Sequence, residues 1–471
     1  MCETPFLSTE RSVGELTHEY HTRQANHGKA HRKENIVQRT LIKQLGSKVG
    51  EIVRICGWVE TLRDQKRMQF LVIRDHTGSA QILHEKSTNA ELTATIAGLT
   101  SESAVEIIGK VIANPVVKLG GLEVVAESVS VISRAETPLP FGENPTSETR
   151  LDWRFLDLRT PRNLLIFKIQ TAAEHAMRSF WTSEGLIEIH SPKFMGSASE
   201  SGAELFEVKY FDRKAYLAQS PQFYKQMAMA AGFDRVFEIG PVFRANPSFT
   251  SRHDTEFTSV DVEISWIDSH EDVMQLEERW LRYILQAVKD EYGEEIKAVF
   301  GTEIMVPELP FPRVTMAEAY EILDQMGHHI ERGEKGDLDP EGERLLCRYF
   351  QEKTGHEFVF VTEYPSVVRA FYHMRPEGKP HLTKSFDLLW KGLEVTTGAQ
   401  REHRYDILVE QAKEKGLSLE PIQYYLDFFR YGCPPHGGYG FGLTRMLMVM
   451  LGAKSVREVT YLYRGVNRLT P

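Results

Sequence analysis

The chain has 471 residues but only four cysteines, Cys2, Cys56, Cys347 and Cys433. They are widely scattered, with no Cys-x-x-Cys pair and no Cys/His cluster. Neither a zinc site nor a disulfide framework is supported, and a reducing cytoplasm is the expected compartment. No apolar run approaches the ~18 residues needed to span a bilayer, so no membrane partner is expected. Residues 1–35 are polar and rich in His, Lys and Arg, unlike a secretory signal. A basic surplus is missing too: 56 Lys+Arg against 66 Asp+Glu leave a net charge of −10. That argues mildly against a nucleic-acid binder, although a large enzyme can keep a local basic groove inside an acidic total.

What is present is the composition of a globular protein, 41% hydrophobic and 26% charged. The length exceeds one ordinary core, so two or three domains are expected. Residues 1–35 read as a disordered tail. Within 36–136, about five short strands with turn signals such as Asp75-His76-Thr77-Gly78 predict a small barrel, with an OB-fold the natural candidate. Such barrels present aromatic and amide side chains to single-stranded bases, as Phe70 and Gln81 could, although by pattern alone Phe70 reads as core. The proline-rich stretch 137–152 reads as a hinge. From 153 to 471 helices and strands mix. A helix is expected over 164–185, stopped by Gly185, and others over 271–289 and 404–415. Strands are expected over 235–243, 256–265 and 384–398.

Three segments carry chemistry. Gly438-Tyr439-Gly440-Phe441-Gly442 alternates glycine with large apolar residues, a strand with one bare face that a flat ligand could approach. Arg445 follows at the lip of an apolar helix. Val242-Phe243-Arg244 ends a strand, and the chain returns through His253 to Phe257. That brings an arginine suited to phosphate beside an aromatic ring. Asp387 and Glu394 lie seven residues apart, an odd spacing that a straight strand would split between two faces. A turn at Lys391-Gly392 could reunite them, and paired carboxylates near phosphates suit Mg²⁺. Lys225 and Arg401 could clamp a small acid.

Together these segments resemble the class II aminoacyl-tRNA synthetases, specifically the aspartyl-tRNA synthetases of archaeal and eukaryote-like type, over about residues 36–471. The resemblance implies an α+β protein. Its parts would be a six-stranded antiparallel catalytic sheet, an N-terminal OB-fold β-barrel that reads the anticodon through Phe70 and Gln81, and an insertion at 300–384. It implies a homodimer that uses ATP, Mg²⁺, L-aspartate and tRNA-Asp, with tRNA-Asn left open. By position, Arg244 would hold the α-phosphate and Phe257 would stack on adenine. Arg445 would pack the other face of adenine and neutralise the γ-phosphate. Asn246, Arg252, His253, Glu394 and Gly442 would also meet the nucleotide. Asp387, Glu394 and Thr397 would hold Mg²⁺. Aspartate would meet Glu200, Gln222, Lys225, Asp261, Thr397 and Arg401. Two buried cations, Lys225 and Arg401, would lack a counter-charge if a neutral amide replaced the substrate carboxylate.

Three positions depart from the family. Asn246 stands where it has glutamate, and Thr444 where an acid usually precedes the arginine. Residues 463–468 replace a proline-containing tail. These keep open a relative that activates aspartate, or an analogue, with altered or lost tRNA charging.

Overall fold

The computed structural model describes residues 38–142, 144–197, 205–247, 250–330 and 336–471. The tail expected over 1–35 lies outside them. Contacts divide the chain into two compact units, the boundary falling after Leu139.

In the first unit, strands β1 (Ile52–Asp64), β2 (Met68–Asp75), β3 (Gly78–Glu85), β4 (Ala104–Ala113) and β5 (Leu122–Ser133) close a barrel in the order β1-β2-β3-β5-β4. Alternation sets the inside: Val53, Ile55 and Val59 of β1 pack with Leu71, Ile73 and Ile82. A helix that the sequence reading missed, Ala90–Ala97, is capped by the Asn89 side chain and sends Leu92 and Ile96 into that core. Its single pair of apolar turns is too short for a periodicity signal.

The second unit is built on an eight-stranded sheet. Its strands are β6 (Ile187–Glu188), β10 (Arg235–Phe243), β11 (Glu256–Ser265), β12 (Arg313–Thr315), β13 (Phe358–Thr362), β14 (Ser385–Trp390), β15 (Leu393–Arg401) and β16 (His436–Gly442). Strands β7 (Phe194–Met195), β8 (Glu207–Tyr210) and β9 (Arg213–Leu217) form a small separate sheet. The large sheet runs β12-β13-β14-β15-β16-β11-β10-β6. Its six central strands are antiparallel, while β12 and β6 join the edges in parallel. The expected six-stranded sheet is thus extended at both ends.

Segment 300–384 is not a detached insertion: β13, buried along its whole length, is one of the six central strands. An all-apolar run of this kind is what a strand covered on both faces requires. Part of the stretch expected as a hinge is helical, Ser147–Asp152, and its Leu151 packs with Val456 and Tyr463.

Two helices cover the back of the sheet. Pro161–Ser183 starts at an N-cap, Thr160, with proline in its first turn. It buries Ile166, Ile169, Ala173 and Phe180. His270–Phe300 opens with a Ser269/Asp272 capping box and ends at Gly301 in the left-handed region. It runs eleven residues beyond the expected 271–289, because Glu, Lys and Ala sustain a helix whose last buried contact is Ile296. Trp181 and Trp280 lock the pair, their rings stacked at 4.9 Å. On the other face Val359, Val361 and Leu389 pack with the helices Met316–Gln325 and Pro340–Thr354, and the site lies beside them.

Candidate active site

Strand β11 shows how the site is made. Val260, Val262 and Ile264 point into the core. Ser259, Asp261 and Glu263 alternate with them, and Ser259 and Asp261 line a cavity of about 360 Å³. Beside β11, β16 turns Tyr439 and Phe441 inward to the core, while Gly440 and Gly442 line the cavity. The glycines have separate reasons. A Cβ on Gly438 would meet the Val262 carbonyl oxygen at 2.0 Å, so strand packing demands glycine there. A Cβ on Gly440 would crowd Asp261 Oδ1 at 3.2 Å inside the cavity.

Arg244, Asn246, Arg252, His253 and Phe257 line the same cavity, as do Glu394, Gly442 and Arg445. The Arg244 guanidinium lies 5.4 Å from the centre of the Phe257 ring. Arg252 donates to Glu343 Oε2 at 2.8 Å, on the helix Pro340–Thr354. Burial pushes the Glu343 carboxyl up to about 7 against the pull of Arg252. Arg445 donates to the Glu394 main-chain oxygen at 2.9 Å, and its guanidinium lies 3.5 Å from the Glu394 carboxylate. The crowding of cations is felt by His253, held below its ordinary value by burial and then by Arg445, Arg252 and Arg244. A neutral imidazole among three arginines marks a place prepared for anions.

The carboxylate pair is reunited as the sequence suggested. Lys391 and Gly392, both at positive φ, turn the chain from β14 to β15. A bulge matters as much: Leu388 pairs with Thr396 but Leu389 pairs with Glu394, so one residue of β15 is skipped. The skip cancels the odd spacing and puts Glu394 on the face of Asp387. Glu394 accepts from the Thr397 hydroxyl at 3.0 Å. Burial alone would raise its carboxyl, but Arg445, Thr397, Arg369 and Arg244 hold it below the usual range. Asp387 is pushed up to about 6 by burial, with Arg369 opposing and Glu394 reinforcing. Asp387 Oδ1 is buried with no hydrogen-bond partner. Among the described residues no cluster of three or more His, Cys, Asp or Glu side chains is set to hold a metal. The set Asp387, Glu394 and Thr397 is nevertheless all hard oxygen, with one orphaned carboxylate oxygen. It fits a Mg²⁺ that borrows phosphate oxygens.

Of the residues expected to meet an amino acid, Gln222, Asp261, Thr397 and Arg401 line the cavity. Glu200 lies outside the described residues. Lys225 does not line the cavity, and the expectation of a cation awaiting its counter-charge is corrected. Its ammonium donates to Asp261 Oδ1 at 2.9 Å, the Tyr439 carbonyl at 2.9 Å and the Val262 carbonyl at 3.3 Å. Arg401 in turn donates to Glu263 Oε1 at 3.1 Å and to the Gly438 carbonyl at 2.9 Å. Two buried carboxylates thus already answer the two cations.

Sequence reasoning missed Arg369 and Asp254, which also line the cavity. Arg369 stood in a stretch assigned to the insertion; its signal was an arginine close to Tyr364, Phe371 and Tyr372. Asp254 is pushed up to about 7 by burial, against Arg445 and Arg457. Nothing in its local pattern marked it.

In the barrel unit, Phe70 and Gln81 line one groove with Arg63, Leu83, Asn114 and Glu123. Phe70 is half-buried and stands outside the barrel core, so the core reading of it is corrected. Glu123 accepts from the amides of both Gln81 and Asn114 at 2.9 Å.

Comparison with known proteins agrees with this arrangement. The pattern of the class II tRNA synthetases (D, K and N) matches residues 146–464, and that of the OB-fold nucleic acid binding domain matches 53–132. The aspartate–tRNA(Asp) ligase of Pyrococcus abyssi is 46% identical over 90% of this chain and 97% of its own length. The aspartate–tRNA(Asp/Asn) ligase of Aeropyrum pernix is 43% identical over 92% and 98%. The asparaginyl-tRNA synthetase of Pyrococcus horikoshii, solved with asparaginyl-adenylate, superposes with a TM-score of 0.85 at 33% identity, covering 93% of this chain and all of that one. The aspartyl-tRNA synthetase of Entamoeba histolytica gives 0.83 at 31%, over 95% and 96%. The chain belongs to the class II tRNA synthetases of the D, K and N group, with archaeal aspartate–tRNA ligases among its relatives.

Proposed function

We propose that the protein is an aspartate–tRNA ligase. It joins L-aspartate to ATP as aspartyl-adenylate and passes the aspartyl group to the 3′ end of tRNA-Asp. The observation that carries the reading is the single cavity lined by Arg244, Phe257 and Arg445, suited to a nucleotide, and by Gln222, Asp261 and Arg401, suited to an acidic amino acid.

No general base is needed for activation. The α-carboxylate of aspartate is already a nucleophile and attacks the α-phosphorus in line, with pyrophosphate leaving. Asp261 and Gln222 receive the substrate ammonium, and Arg401 receives its side-chain carboxylate. Arg244 neutralises charge gathering on the α-phosphate, Arg445 that on the leaving pyrophosphate. Phe257 holds the base, so the reaction gains from position as much as from charge. A Mg²⁺ bound by Asp387, Glu394 and Thr397 would supply further neutralisation of the phosphates. The 3′-terminal hydroxyl of tRNA then attacks the mixed anhydride and AMP leaves. In the barrel, Phe70 and Gln81 would meet anticodon bases.

The reading extends to a cytoplasmic homodimer on the family resemblance alone. Asn246 and Thr444 line the cavity where the family carries acids, and they keep open the alternative of a relative with altered or lost tRNA charging. Aspartate-dependent ATP–pyrophosphate exchange, followed by charging of tRNA-Asp and tRNA-Asn transcripts side by side, tests both. No exchange with pure protein removes the proposal. Exchange without charging leaves the alternative.

A further inference from the structure

Two ion pairs stand at this site, and they are built alike. Arg445 faces Glu394 at 3.5 Å, and Arg369 donates to Asp387 Oδ2 at 2.6 Å. Both arginines line the cavity. Arg369 is also held flat, its guanidinium carbon 3.7 Å from the centre of the Tyr364 ring. A planar cation stacked on an aromatic and tethered to a carboxylate is prepared for bidentate contact with an anion. Its Nε is buried with no hydrogen-bond partner, as is Oδ1 of Asp387. The pair therefore keeps an unused donor and an unused acceptor.

We propose that Arg369 is a phosphate-binding residue, and that nucleotide and divalent cation enter by exchanging partners with the two ion pairs. Phosphate oxygens take Arg369 and Arg445, and the cation takes Asp387 and Glu394. Charge is conserved in the swap, so neither half leaves an unpaired ion buried. Each ligand frees the side chain the other needs, which makes their binding mutually favourable. This inference rests on the nucleotide and cation reading of the site.

The test measures binding, not turnover. Mn²⁺ binding is followed by electron paramagnetic resonance, and binding of a non-hydrolysable ATP analogue by calorimetry with and without Mg²⁺. In Arg369→Gln the analogue should bind roughly tenfold or more weakly with Mg²⁺ present, the size of a lost charged hydrogen bond. Mn²⁺ without nucleotide should bind more tightly, because Asp387 has lost its resident counter-ion. Arg369→Lys should fall between. Analogue affinity unchanged in Arg369→Gln, or Mn²⁺ affinity unchanged or lowered, overturns the inference. Tyr364→Leu, which removes the stack but keeps the ion pair, serves if Arg369→Gln does not fold. It should weaken the analogue; an unweakened analogue overturns the inference. Failure of the wild-type protein to bind the analogue at all would instead sink the functional reading.

Discussion

Lys225 and Asp261 are buried together at 2.9 Å, and neither side chain is more than 4% exposed. Glu263 Oε2 lies 3.5 Å from the same ammonium and Arg401 donates to the same carboxylate, so two cations and two carboxylates form one set. Removing one member strands the rest. Lys225→Leu should therefore lower stability by about 3–5 kcal/mol, since a broken buried pair leaves an uncompensated charge, and abolish aspartate use by releasing Asp261 from its partner. Urea unfolding measures the first effect and pyrophosphate exchange the second. A variant as stable as the wild type would show that the ammonium is not the counter-ion of Asp261. Lys225→Leu with Asp261→Asn probes the stability effect alone, because Asp261 is itself placed on the substrate ammonium. It should recover part of the stability and none of the exchange.

Arg244 and Phe257 make the second prediction. Arg244 directly follows β10 and Phe257 lies on the adjoining β11, where Val242 pairs with Phe257. Their proposed roles differ, one on developing phosphate charge and one on the base. Arg244→Gln should lower the exchange rate about 100- to 1,000-fold, the usual loss for one electrostatic donor at a reacting centre. Phe257→Leu should instead raise the KM for ATP roughly tenfold, losing a stacked base at ~1–3 kcal/mol, with a smaller effect on rate. Steady-state exchange at varied ATP separates the two. Equal effects on both parameters in both variants would contradict the division of labour.

How much of this was legible beforehand depends on the distance over which each cause acts. The glycine alternation of 438–442 is local, and it named both a strand and its open face. The return from Arg244 to Phe257 is a hairpin, also local. The turn at Lys391-Gly392 was visible, but the bulge opposite Leu388 and Leu389 was not, because it depends on how two strands register. Lys225 misled for a related reason. Its partners Asp261, Glu263 and the Tyr439 carbonyl lie 36 to 214 residues away on two other strands. A lysine followed by helix reads as a free cation until those strands are placed. Arg369 was lost inside a stretch treated as an insertion, whereas β13 in that stretch is central to the sheet.

Glu277 supplies a pH test from outside the cavity lining. It is wholly buried on the helix behind the sheet, where the Thr396 hydroxyl donates to it. Burial pushes its carboxyl up from 4.5 to about 8, with Glu278 and Asp387 adding to the shift. A carboxyl whose value is raised by folding stabilises the protein when protonated. Its contribution is complete below about 4.5 and is lost as pH rises to about 8. Glu277→Gln has no proton to lose, so its unfolding free energy should stay flatter over that range. At pH 8 it should exceed the wild type by on the order of a few kcal/mol. Chemical denaturation at pH 5, 6.5 and 8 gives the comparison, and parallel profiles for the two proteins would refute the assignment.

The last prediction concerns the barrel. Phe70 is half-buried in a groove, with the Arg63 guanidinium 5.6 Å from its ring centre. An aromatic left outside its own core, under a cation and beside a tethered amide, is a stacking platform for a base. Gln81 is tethered by Glu123, which accepts from its amide nitrogen. If the groove reads tRNA while the sheet performs activation, the two steps must separate by mutation. Phe70→Ala should raise the KM for tRNA in charging by roughly tenfold, the cost of one stacked base at ~1–3 kcal/mol. Exchange without tRNA should stay at the wild-type rate, since the barrel and the sheet are distinct compact units. The salt dependence of charging should change little, because a stacking contact releases no counter-ions. Arg63→Ala should by contrast flatten it. Loss of tRNA-free exchange in Phe70→Ala would mean that the barrel is coupled to activation, and the split of roles between the two units would have to be abandoned.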